Sequence, residues 1–145
     1  MKRLLAVTAV IALLASMAFA ATQDFGKFTM DVPDGWTATQ DGASAIIVKN
    51  DNTASLSITV APTGGNSVKD LADAFAAECQ KSYAKVDTPA ADADGDYVWD
   101  MVNNQGVSSR AILSVEGDQY VFILITGAEV AGDEISAMLA SFKDK

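Results

Sequence analysis

The chain has 145 residues, half of them hydrophobic, with 19 acidic against 10 basic side chains and a formal net charge of -9. Such a balance excludes nucleic acid or an anionic lipid surface as a partner, because their phosphates would be repelled rather than neutralised. The absence of histidine removes Ser-His-Asp and Cys-His catalysis and nearly every zinc site, and the lone Cys79 has no partner for an internal disulfide.

Residues 1–20 have the layout of an export signal. Lys2 and Arg3 form a short basic start, "LLAVTAVIALLASMAF" is an apolar run, and Ala18 and Ala20 supply the small residues a signal peptidase reads. Cleavage is expected between Ala20 and Ala21. The run is too short for a comfortable membrane anchor, and no cysteine follows the cut to take a lipid, so no membrane insertion is expected after cleavage. The periplasm or the outside medium is the expected location. Removing Lys2 and Arg3 leaves 8 bases against 19 acids, a net charge of -11 on 125 residues. A chain of this length suits one domain, residues 21–145, able to bury about two-thirds of its extended surface. Its field favours a basic protein, a cationic peptide or a divalent metal.

In "FGKFTMDV", residues 25–32, Phe28, Met30 and Val32 alternate with Lys27, Thr29 and Asp31 as a half-buried strand requires. "PDGW" then reads as a turn that sets Trp36 against the core edge. Next comes a hairpin with arms Ile46–Lys49 and Ser55–Val60 around Asn50–Thr53. Ser67 is a good helix N-cap, with Asp70 three residues on. Val68, Leu71, Ala72, Phe75, Ala76 and Cys79 then form one helical face, which makes Cys79 a buried, inert thiol. This helix is expected to end near Tyr83 to Lys85, before Pro89 and an acidic loop.

Three strands follow at about Tyr97–Val102, Val107–Val115 and Gln119–Thr126, joined by "NNQG" and "EGD" as an antiparallel meander. The last of them, "QYVFILIT", is apolar on both faces and suits a central strand. A final helix from about Val130 to Phe142 buries Ile135, Met138, Leu139 and Phe142. The order of elements describes an α+β domain, with a mainly antiparallel sheet and two packing helices.

The opening "FGKFTMDVPDGW", followed by a hairpin, a Leu/Phe-striped helix, a meander and a closing helix, resembles the PsbP-like superfamily. In character it is nearest to the DcrB-type bacterial envelope proteins. The resemblance spans roughly residues 25–143. It implies an α/β/α sandwich and an accessory or binding role without chemistry, and brings no catalytic motif with it. The chain differs from lipid-anchored members in lacking a cysteine after its leader.

"ADADGDYVWD" is the stretch richest in potential ligands, with Asp92, Asp94, Asp96 and Asp100. Counted from Asp92, carboxylates fall correctly at the first, third and fifth positions of a calcium loop, but Tyr97 stands where glycine is needed and Asn103 where a bidentate glutamate is needed. Two readings result: a solvated turn before a strand, or a calcium-dependent interaction module using Asp92, Asp94 and Asp96. A third reading, an acid-pair hydrolase on Asp96 and Asp100 or Asp118, needs a buried carboxylate with a raised pKa. Arg110, the only arginine after the leader, either forks onto a ligand carboxylate or pairs with a surface acid. Trp99, Tyr120 and Phe122, with Tyr97, lie on strands expected to be neighbours. They form either core or the lining of a groove between sheet and helix for an apolar ligand or peptide. The preferred function is an exported, non-catalytic accessory or binding protein with no required cofactor.

Overall fold

The computed structural model describes residues 20–145, so the expected leader, apart from Ala20, lies outside the described residues. Why the chain folds as it does is clearest at β10, Gln119–Thr126, where both faces are apolar. Val121, Ile123 and Ile125 are buried on one side, while Tyr120, Phe122 and Leu124 pack into a second cluster on the other. A strand of this kind is stable only between two covering layers, and β10 sits mid-sheet, as its sequence requires.

On one side β10 pairs antiparallel with β5, Ser55–Pro62, setting Ile123 opposite Ile58. On the other it pairs with β9, Ser108–Glu116, setting Ile123 opposite Ile112. The sheet extends outward through β4, Ser44–Lys49, to β3, Trp36–Asp41. In the other direction it continues through β8, Tyr97–Val102, to β6, Lys85–Val86, while β7, Ala90–Ala91, also pairs with β8. The resulting order is β3-β4-β5-β10-β9-β8-β6, and every pairing is antiparallel.

Helix α1, Val68–Cys79, covers one face of the sheet through Ala72, Ala76 and Phe75, above Trp99, Met101, Ala111 and Leu113. Against the other face lie α2, Ala128–Ala140, and a three-stranded sheet of β1, Ala21–Asp24, β2, Phe28–Val32, and β11, Lys143–Asp144. Phe28, Met30, Ile135 and Met138 meet Leu56, Ile58 and Ile123 there. The architecture is the α+β, α/β/α sandwich expected from the order of elements.

Several boundaries differ from the sequence reading, each for a local reason. The strand expected from Phe25 opens only at Phe28, because Phe25–Lys27 turn the chain: the Phe25 N–H donates to the Phe28 carbonyl at 2.9 Å and Gly26 takes φ +78°. That turn folds β1 onto β2, a strand whose exposed residues carry no alternation to read. β3 likewise shows no alternation in the sequence, since only Trp36 in it is buried and it serves as a sheet edge. α1 stops at Cys79 rather than near Tyr83, where the Cys79 carbonyl accepts the N–H groups of Ser82 and Tyr83 at 3.0 and 2.9 Å. α2 begins at Ala128, is kinked at Ala131 (φ -140°, ψ 23°), and ends at Ala140 so that Lys143 and Asp144 can pair with β2. Phe142 therefore lies beyond the helix, and its ring packs on Phe28 at 4.8 Å.

Candidate functional site

Asp92 to Asp96 form a five-residue loop between β7 and β8. Asp92 organises it: its Oδ1 accepts the N–H of Asp94 at 2.9 Å and of Asp96 at 3.0 Å. The Asp92 N–H donates to the Asp96 carbonyl at 2.8 Å, and Gly95, at φ +87°, donates to the Asp92 carbonyl at 3.2 Å. The next hairpin loop, Asn103 to Val107 between β8 and β9, repeats these four bonds. Asn103 Oδ1 accepts from Gln105 and Val107, both at 2.9 Å. Asn103 N–H donates to the Val107 carbonyl at 3.0 Å, and Gly106, at φ +80°, donates to the Asn103 carbonyl at 3.0 Å.

An uncharged amide thus does at 103 what a carboxylate does at 92. In both loops a side-chain oxygen at this place accepts two backbone N–H groups, charged in one and neutral in the other. Among the described residues no three His, Cys, Asp or Glu side chains come together to hold a metal ion. Asp92→Asn is expected to change stability by less than about 0.5 kcal/mol, and Asp92→Ala to cost about 1–2 kcal/mol through the loss of two caps. Urea midpoints of the two variants check this. Equal loss in both would give the charge itself a role.

The acids proposed as a pair are differently placed. Asp96 is buried and Asp100 exposed on β8. Asp100 faces Arg110 across the β8–β9 ladder, and the guanidinium forks onto it, Nε to Oδ1 at 2.8 Å and Nη2 to Oδ2 at 3.0 Å. That hydrogen-bonded partner holds the Asp100 carboxyl below its ordinary value, opposite to what a general acid needs. Asp118 lies exposed in the β9–β10 turn, where its carbonyl accepts the Thr63 N–H at 2.7 Å. The fork of Arg110 is spent on a cross-strand neighbour.

Tyr97, Trp99, Tyr120 and Phe122 do share one face of the sheet, and Phe75 of α1 lies on it. Its ring stacks on Phe122 with centroids 4.6 Å apart and planes 2° from parallel, and meets Tyr120 edge-on at 5.4 Å. Trp99 stacks on the same Phe122 at 5.8 Å. Phe75, from the apolar stripe of α1, thus packs directly on this aromatic face, an arrangement aromatic rings favour.

A constellation absent from the sequence reading joins three elements on the opposite face. The Trp36 indole N–H and the Lys49 ammonium both donate to the Glu134 carboxylate of α2, the lysine at 2.7 Å, and Lys49 also stands 5.9 Å above the Trp36 ring. Lys49 and then Trp36 lower the Glu134 pKa, while Glu134 raises that of Lys49. The glutamate's contribution is therefore fully present above the ordinary glutamate pKa of about 4.3 and is lost as pH falls through the depressed folded value. The lysine's is present below the ordinary lysine value and is lost as pH rises through the elevated one. In Glu134→Gln both limbs of stability against pH are expected to flatten, read from denaturation midpoints across the acid and alkaline ranges. Limbs unchanged from wild type would show that the triad is not felt in solution. Only a charged residue on a helix mentioned it in the sequence, and such residues ordinarily face water.

No protein-family model and no curated protein matches the sequence. Solved structures do. A cyanobacterial PsbP (CyanoP) from Synechocystis sp. PCC 6803, known from its solution structure, superposes with a TM-score of 0.52 at 11% identity, covering 90% of this chain and 96% of that one. The fold is PsbP-like. A crystal structure from Bacteroides thetaiotaomicron VPI-5482 matches with a TM-score of 0.53 at 16% identity over 89% of this chain, which spans about half, 49%, of that longer one. At such identities the likeness is one of fold, and it agrees with the resemblance carried by "FGKFTMDVPDGW" and the order of elements that follows it.

Proposed function

We propose that the protein is an exported, non-catalytic accessory or binding domain that works by contact with a basic protein or peptide. The observation that carries this reading is the charge: 19 acids against 8 bases after residue 20, on a PsbP-like sandwich. Export is supported by the leader pattern, and β1 opens at Ala21, the residue cleavage would leave first. The side chains best suited to chemistry are already engaged within the molecule: Asp100 with Arg110, Asp92 with its loop, and the aromatic face with Phe75. The excess of carboxylates over cations gives such a domain fast, salt-sensitive association with a cationic surface.

Immobilised protein exposed to the exported fraction is expected to retain basic polypeptides at low ionic strength and release them as salt rises, while mature protein recovered from that fraction begins at Ala21. Retention indifferent to salt, or a protein kept in the cytosol with its leader, would refute the reading. Thermal unfolding with and without millimolar calcium is expected to coincide. A clear upward shift of Tm would instead favour the module built on Asp92, Asp94 and Asp96.

A further inference from the structure

Among the described residues one buried side-chain polar atom has no hydrogen-bond partner, and it is Nε1 of Trp99. Trp99 is 2% exposed, so bulk solvent does not reach its N–H, and an unmade bond at such depth is costly. The indole N–H lies beside the thiol of Cys79, the last residue of α1, and both side chains belong to the cluster under that helix. Burial pushes the thiol's pKa up, the indole N–H draws it partly back, and the neighbouring Glu78 adds to the rise. The approach stops short of a closed hydrogen bond. A thiol sulfur is a weak acceptor, whereas an oxygen carried on that sulfur would be a strong one. Cys79 is half-buried rather than sealed, so a small reagent can reach it. As the only cysteine, it has no second thiol in the chain to resolve an oxidised form into a disulfide.

We propose that Cys79 is a site of oxygenation by small hydroperoxides, its sulfenic acid held by the indole N–H of Trp99. In the step the Cys79 thiolate attacks the terminal peroxide oxygen. The O–O bond breaks as the S–O bond forms, sulfur gives up two electrons, and the peroxide leaves as water or an alcohol carrying the thiol proton. Because the thiol is mostly protonated near neutral pH, the reaction is slow. What the site contributes is persistence of the product, since a buried donor stabilises the oxygenated sulfur and no neighbouring thiol consumes it.

The test treats the folded wild-type chain and Trp99→Phe with hydrogen peroxide, then follows intact mass and a dimedone-type sulfenic-acid probe over time. Wild type is expected to gain one oxygen at Cys79 and stay trappable. In Trp99→Phe, which keeps an aromatic ring but lacks the donor, the lifetime of the trappable form is expected to fall about tenfold. Equal lifetimes, or a Cys79 that oxidises only after denaturation, would overturn the proposal. Should Trp99→Phe fold poorly, wild type alone decides: of the two indole N–H resonances, that of Trp99 must move on oxidation, while that of Trp36, bound to Glu134, stays. An unmoved Trp99 signal in oxidised protein refutes the proposal equally.

Discussion

Alanine at position 127 is expected to cost about 3–5 kcal/mol, a large share of what holds a domain of this size together. Gly127 joins β10 to α2 with φ +75°, and a Cβ built there would lie 2.2 Å from the Thr53 carbonyl oxygen and 2.9 Å from the Ala54 Cα. Two costs therefore combine. The left-handed backbone strains any side chain, and the turn between β4 and β5 passes too close to admit a methyl group. Both obstructing atoms are backbone, so relief requires strands to move. Gly42 separates the two costs: it has φ +58° but nothing within 4 Å of its would-be Cβ. Gly42→Ala should lose only the conformational part, about 1–2 kcal/mol. Guanidinium midpoints of the two variants give the comparison, and equal losses would show that the close approach at Thr53 contributes nothing.

The second large effect is expected from Phe28→Ala. Phe28 is 1% exposed and lies between the rings of Phe25, at 5.1 Å, and Phe142, at 4.8 Å. It thereby ties the strand carrying both β1 and β11 to the layer beneath α2. Removing a fully buried phenyl ring costs about 3–5 kcal/mol. The loss should also be uneven. Amide hydrogen exchange is expected to accelerate first in β1, β2 and β11, while β5, β9 and β10 keep their protection, because Phe28 is the largest of the buried side chains that β2 supplies, beside Met30 and Val32. Uniform acceleration would mean that the two sheets open as one unit.

What could be read in advance divides by distance along the chain. β10 was legible as a central strand because an apolar run on both faces is a property of eight adjacent residues. α1 was legible from its stripe and from Ser67, whose hydroxyl accepts the Asp70 N–H at 3.2 Å as an N-cap should. β1 and β3 have no signature in the sequence because edge strands bury little and so have no alternation to display. At the candidate site, the shared face of Trp99, Tyr120 and Phe122 followed from alternation, whereas its contact with Phe75 depended on where a helix 47 positions before Phe122 comes to rest. Trp36 and Glu134, 98 residues apart, left no signal that they meet.

By itself, then, the sequence determined the acidic character, the export pattern, the absence of histidine chemistry, and an α+β order of elements around a double-faced strand. These depend on composition, or on periodicity within a few residues, where steric preference and hydrophobic patterning act directly. Only the tertiary structure decided that the aspartate loop is a twin of the Asn103 loop, that Arg110 is occupied by Asp100, and that an indole N–H is left facing Cys79. Such outcomes depend on strand register and helix placement to within an ångström or so. Those are set by the packing of the whole core rather than by any one segment.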